Sequence, residues 1–247
     1  MIVALTVSVV ALVMISIEVG RPGRAWPRVA GWWCRAALLN GFQALMVFAA
    51  GVAWDGWMFR HRPWSADALG AAGGAIVGYV VMTLIYYWWH RWRHEISFLW
   101  RWFHQVHHSP QRIEIITSFY KHPFELIANG MLSSGILYLL VGVEPQTAAY
   151  AVLISGLAEL FYHWNVNTPH WLGYIVQRPE SHCVHHQQGL HWYNFSDLPL
   201  WDMMFGTFRN PRQWEAACGL GPENEHRLVE MLGGVDLRIR SRVRASV

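Results

Sequence analysis

From Leu69 to Trp89 the chain runs without one Asp, Glu, Lys or Arg, and this stretch limits the fold more than any other feature. A helix of about 20 predominantly apolar residues matches the hydrocarbon core of a bilayer. An amphipathic helix on a soluble domain would show a polar stripe, which this stretch lacks. Met1–Val19 qualifies narrowly as a second such span, and roughly Ala36–Met58 as a third. Ala36–Met58 and Leu69–Trp89 are each rich in the small residues that let membrane helices approach closely. Residues 90–125 are too polar to cross. Leu126–Val141 and Thr147–Tyr162 then read as a helical hairpin turned at GVEP (142–145), its spans short enough to be re-entrant. Beyond His163 no stretch is apolar enough to span. The first span lacks a basic leader and an A-x-A site, so it is expected to stay as an anchor.

Composition agrees. Apolar residues make up 53% and charged residues 14%, against about 25% charged in an ordinary soluble domain. The net charge is +3, but it is unevenly spread. With the N-terminus outside and five crossings, seventeen of the nineteen Lys and Arg fall on the cytoplasmic side, leaving Arg60 and Arg62 outside. Four arginines between Arg238 and Arg244 read as a solvated end near anionic lipid. Nothing interleaves basic and stacking residues on a soluble fold, which speaks against a nucleic-acid module. Cys34, Cys183 and Cys218 are too few and scattered for a disulfide framework. Cys183 reads as a spacer in preference to a sulfur ligand.

Fourteen histidines remain. His90 and His94 lie four apart at the foot of the Leu69–Trp89 span. His104, His107 and His108, in HQVHH, stand at i, i+3 and i+4, as do His182, His185 and His186, in HCVHH. His163 and His170 are seven apart, with Asn167 between them. Residues three, four and seven apart share a helix face, so each set presents its ring nitrogens in one direction. Imidazole ligates iron, copper, nickel and zinc. One His-x-x-His pair is weak evidence, and interfacial histidines at helix ends account for one or two sets. They do not account for all the sets on one membrane face. The reading is two metal ions sharing the cluster.

In the order HRWRH, HQVHH, FYHWN, HCVHH, closed by YNFSDLPLWDMMFGTFRNP, the sequence resembles the fatty acid hydroxylase/sterol desaturase superfamily of membrane di-iron oxygenases over roughly residues 85–212. The resemblance implies an all-α integral membrane protein, with about four to five transmembrane or re-entrant helices and a cytosolic helical cap holding a histidine-rich dimetal site. Residues 1–89 are then anchor helices, 90–212 the catalytic domain with its hairpin at 126–162, and 213–247 a cytosolic tail, loosely ordered from 222. Carried over as ligands of two iron ions are His90, His94, His104, His107, His108, His163, His182, His185 and His186. His170 and Asn167 compete for the tenth place, Asn167 by holding a water.

The resemblance further implies O2 as co-substrate and a lipophilic membrane substrate: a carotenoid or other isoprenoid, a fatty acyl lipid or a sterol. No cytochrome b5-like domain is fused, so a separate ferredoxin-type or cytochrome b5-type donor is expected. Hydroxylation is preferred to desaturation on family frequency. The small size points to a bacterial inner-membrane enzyme with its site on the cytoplasmic face. Glu159, one turn before His163 and inside a span where charge is costly, is expected to partner the site. Asp202 and Asp197 are weaker candidates, Asp202 also reading as a pin for the closing segment. His122 orients the cap, His191 is a spare ligand, and His61 and His226 face solvent. Trp88, Trp89, Trp92, Trp100 and Trp102 read mostly as an interfacial belt.

The competing class is a non-redox metal-binding membrane protein or transporter. A transporter places ligands near the bilayer midplane, whereas these sit at span ends and in the cap. A zinc hydrolase motif begins at His94-Glu95 but fails at Phe98. A di-haem cytochrome would place single histidines on facing spans.

Overall fold

The computed structural model describes residues 2–215 and 217–238. Among them every regular element is helical, and an isolated bridge between Gln187 and Cys218 is the nearest approach to a sheet. Helix α1 (Ile2–Gly20) leads into a polar loop. Helices α2 (Trp32–Arg60), α3 (Asp67–Glu95) and α4 (Pro123–Val141) are long and apolar enough to cross a membrane. Helix α5 (Pro145–Tyr162) returns from α4. Three short helices, α6 (Pro179–His185), α7 (Pro199–Phe205) and α8 (Leu228–Leu232), belong to the polar portion.

Local chemistry sets the boundaries. Helices α4 to α7 each begin at a proline, whose fixed φ suits a first turn and whose missing N–H would have had no helical partner. His122 caps α4, its Nδ1 accepting from the Phe124 N–H at 3.1 Å. The α4–α5 turn uses Gly142 at φ 81, where a Cβ would stand 2.6 Å from the Trp64 carbonyl oxygen.

Helix α3 is the centre of the bundle. A Cβ on Gly78 would come within 2.8 Å of Leu137 in α4, and one on Gly74 within 2.9 Å of Thr147 in α5. These two glycines let α3 seat closely against both neighbours. Met82, Leu137, Tyr138 and Ala151 fill the contact. Leu38, Leu45 and Phe48 of α2 and Ile76 of α3 are exposed, as lipid-facing side chains would be.

The polar portion has its own core. Trp32 and Ala36, in the first turns of α2, pack with Trp100, Val106 and Tyr120 and with Leu220, Leu228, Met231 and Leu237 from the chain's end. Residues 222–238 are therefore a packed part of the cap, which corrects the expectation of a loose tail there. Burial of each such side chain contributes about 1.5–3 kcal/mol, enough to hold a short segment with little helix of its own. The arginine run after residue 238 lies outside the described residues. Helix α1 is tied in by Glu18, whose carboxylate accepts from the backbone N–H groups of Ile115 and Asn165.

Candidate metal centre

Four segments deliver the imidazoles. The last turns of α3 carry His90 and His94. A widened π-type turn over Trp100–His104 swings the chain back, so that His104, His107 and His108 return over the end of α3. His163 caps the C-terminus of α5, and α6 carries His182 and His185 with His186 at its end.

Nine of the ten histidines assigned from sequence fall into two groups. His90, His94, His104, His108 and His185 form one, and His107, His163, His182 and His186 the other. Within each group the ligand-capable atoms lie within 4.8 Å of one another. Each H-x-x-H-H set divides between the groups: His104 and His108 go to the first and His107 to the second, while His182 and His186 go to the second and His185 to the first.

His170 is not brought in. Its Nε2 lies 3.1 Å from the Asn210 carbonyl and its ring rests on Tyr174. The seven-residue spacing from His163 loses its meaning because α5 stops at Tyr162 and residues 164–169 are not helical. Asn167 is also away from the groups, its Oδ1 accepting from Trp214 Nε1 at 2.7 Å. His191 stands behind the first group, its ring 4.8 Å from His108 and 5.6 Å from His94. Cys183 turns to Cys218, with sulfurs 3.2 Å apart.

The hydrogen bonds around the rings decide which nitrogens face inward. His90 Nδ1 lies 2.7 Å from the Phe195 carbonyl, His185 Nδ1 2.7 Å from that of Tyr193, and His163 Nδ1 2.9 Å from that of Glu159. A carbonyl oxygen only accepts, so these rings are protonated at Nδ1 and present a bare Nε2 lone pair. His104 Nδ1 stands between the Glu125 carboxylate at 3.2 Å and Arg93 Nη1 at 3.1 Å, an acceptor on one side and a donor on the other, so these contacts hold the ring without fixing its tautomer.

Across the two groups Nε2 atoms face one another at 2.9 Å (His90–His104), 3.1 Å (His104–His108), 3.0 Å (His163–His182) and 3.0 Å (His182–His186). Both nitrogens of His94, Nδ1 of His107, His108 and His186, and Nε2 of His185 are buried without a hydrogen-bond partner among the described residues. Each such atom costs about 1–3 kcal/mol when nothing meets it.

Burial pushes His104, His107, His108, His182 and His186 well below the ordinary imidazole range, and His163 and His185 down to about 3. The rings are neutral near pH 7, as metal ligation requires. Converging bare lone pairs, orphaned buried nitrogens and neutral rings fit two cations.

The supporting layer differs in part from what the sequence led one to expect. Glu125, which sequence reasoning passed over, is fully buried and bonds both Arg93 and His104. The HPFE stretch held the signal, since a glutamate two residues into an apolar helix needs a buried partner. The Glu159 carboxylate pairs with Lys121 and not with a ring; its backbone carbonyl is what meets His163. Asp202 accepts from the N–H groups of Phe195 (2.8 Å) and Ser196 (3.0 Å) and from the Thr207 hydroxyl (2.7 Å). It thus pins the loop whose Phe195 carbonyl meets His90. Asp197 accepts from Ser155 and touches no ring of the two groups through its carboxylate.

A chamber of about 250 Å³ begins at His90, His104, His107 and His182 and continues between α2, α3, α4 and α5. The fold and site together define a histidine-rich helical membrane protein whose metal-competent centre opens into its own membrane bundle. The fatty acid hydroxylase family model matches residues 75–207, more than half of the chain, and the chain belongs to that family.

Among curated proteins it is 28% identical to an alkylglycerol monooxygenase of Danio rerio over 159 residues, 63% of this chain and 34% of the relative. It is 29% identical to a very-long-chain aldehyde decarbonylase of Oryza sativa subsp. indica over 140 residues, 53% of each chain. It is 30% identical to an ornithine lipid hydroxylase of Rhizobium tropici over 155 residues, 61% of this chain and 46% of the relative. The chain thus spans between a third and about half the length of these relatives. No solved structure matches it.

Proposed function

We propose that the chain is a membrane-integrated monooxygenase that uses O2 to hydroxylate a carbon of a lipid, with two iron ions as its resident metal. The observation that carries this reading is the pair of buried, all-imidazole groups opening onto a chamber among membrane helices. His90, His94, His104, His108 and His185 would hold one ion, and His107, His163, His182 and His186 the other. Such a pair, when bound, supplies reduction of dioxygen and oxidation of an unactivated C–H bond.

The chain's own residues set the conditions. The carbonyls of Phe195, Tyr193 and Glu159 keep a proton on Nδ1 of three rings and so hold their Nε2 atoms ready. Glu125 and Arg93 both reach Nδ1 of His104 and hold its ring in place. The buried rings keep bulk water from the centre. Met46 and Ala50 of α2 and Val152 and Gly156 of α5 line the chamber, and the seam between these helices is the entrance for a substrate arriving from the bilayer.

Lipids are favoured as the substrate class because relatives are named for alkylglycerol and ornithine lipid oxidation. Electrons come from a separate donor of ferredoxin or cytochrome b5 type. The bias of Lys and Arg supports a centre on the cytoplasmic face, in a bacterial inner membrane.

The test is mass spectrometry of lipids and pigments from a host expressing the chain or its His107→Ala/His108→Ala variant, with iron analysis of both proteins. A species one oxygen heavier, absent with the iron-poor variant, is expected. A species two hydrogens lighter would make the chain a desaturase, and an alkane formed from an aldehyde would make it a decarbonylase. Bound metal with unchanged lipids, a donor being supplied, would favour a non-redox metal-binding protein.

A further inference from the structure

Away from the imidazoles the chamber is lined by Asp55 of α2 and Ser134 of α4, which bond each other. Asp55 is the only Asp, Glu, Lys or Arg between Arg35 and Arg60, and a charged side chain inside a span is costly. The fold gains little from it. Its one recorded partner is the Ser134 hydroxyl, which donates to Oδ1 at 2.5 Å, while Trp54 Nε1 donates to the same serine oxygen at 3.1 Å. Among the described residues no basic side chain pairs with Asp55, and its Oδ2 has no partner. The two helices both change their winding here: α2 widens into a π-type turn over Gly51–Asp55 and α4 over Gly135–Val141. Such turns recur at functional sites.

We propose that Asp55 and Ser134 receive a hydrogen-bond donor of the substrate, a hydroxyl or an amine on an aliphatic chain, and so set which carbon lies beside the imidazoles. This rests on the lipid-oxidising reading and deepens it. A carboxylate accepts and does not donate, so it welcomes O–H or N–H, repels a fatty acid's carboxylate and gives nothing to a pure hydrocarbon. Glu125, beside His104, and Ser134 are nine residues apart on α4, which at 1.5 Å per residue is about 13 Å. The donor and the carbon to be oxidised are therefore held apart by a fixed length of chain. Substrates lacking a donor at that separation, carotenoid hydrocarbons among them, are disfavoured.

Photolabelling tests this without iron or oxygen. Protein in lipid nanodiscs is irradiated with hexadecanol or hexadecylamine carrying a diazirine beside the polar group, or with a hexadecane diazirine, and adducts are located by peptide mass spectrometry. The expected result is labelling by the alcohol or the amine concentrated around Trp54 and Ser134, and about tenfold lower there in Asp55→Leu. The hydrocarbon probe should not concentrate there in either protein. Asp55→Asn, which keeps shape and an acceptor oxygen, should retain the alcohol and lose the amine, which tells the two donors apart. Equal labelling around Trp54 and Ser134 by polar and hydrocarbon probes, or labelling unchanged in both variants, would overturn the proposal. Failure of the oxygenase reading would show instead in the product assay, with this labelling intact.

Discussion

His90 donates from Nδ1 to the carbonyl of Phe195, 2.7 Å away and 105 residues further along the chain. Two residues before Phe195, the Tyr193 carbonyl takes His185 in the same way. Between them stands Asn194 at φ 58, the one non-glycine residue with positive φ among those described. Its side chain donates to the carbonyls of Ser181 and Arg209 and accepts from the Arg209 N–H. One left-handed residue thus aims two carbonyls at two rings of the same group.

Replacing Asn194 with Ala should destabilise the protein by about 2–4 kcal/mol, from the left-handed backbone and the lost hydrogen bonds together. Iron content should fall with it. Asn194→Gly keeps the backbone conformation and should lose less. Thermal unfolding in detergent and metal analysis of the two variants check the order.

Glu125 and Arg93 are a buried pair, so Glu125→Leu alone should cost about 3–5 kcal/mol by stranding the guanidinium. The double variant Glu125→Leu/Arg93→Met should recover much of that stability. It should still bind metal about 10–100-fold more weakly, because His104 Nδ1 has lost its carboxylate. Stability and metal affinity measured on the same preparations separate the two effects.

Acid should weaken the protein and release metal together. His163 and His185 titrate at about 3 in the folded chain against an ordinary 6.5, and five other rings of the centre are also pushed down. Between those limits the unfolded chain binds more protons, so stability is full above about 6.5 and falls as pH drops toward 3. Asp197 and Asp202, pushed up to about 7 by burial, and Glu114, also raised, act in the opposite sense. Seven rings outweigh three carboxyls. Denaturation midpoints from pH 8 to pH 4, with and without chelator, should fall with pH; a flat profile would count against neutral buried rings.

Met231→Ala should destabilise by about 2–5 kcal/mol, because Met231 is fully buried against the Trp32 and Trp100 cluster. A surface change such as Val229→Ala on the same helix should be nearly silent. Comparing their melting temperatures checks whether the segment is a packed part of the cap.

The histidine spacing made most of the centre legible, because three- and four-residue separations on short helices fix direction as well as number. It misled at His170, where the helix that gives a seven-residue spacing its meaning had ended. Glu125 was hidden by its company in HPFE, which reads as a helix start. The roles of Phe195, Tyr193 and Glu159 at the rings belong to backbone carbonyls, which no side-chain identity announces. The seating of α3 through Gly74 and Gly78 was visible only as a richness in small residues. Sparse apolar positions from Leu220 to Leu237 did not show that they close the cap, since they pack on α2 and on Trp100 and not on one another's helix.

The division of each H-x-x-H-H set between the two groups has an effect on how the centre comes into being. The turn bearing His104, His107 and His108 cannot be placed for one pocket without being placed for the other, and the same holds for His182, His185 and His186. The pockets are like two rooms sharing both side walls: neither can be built first and left standing alone. On the proposed two-ion reading, an ion settling in one would already raise the walls of its neighbour, and a half-occupied chain would be the rare species.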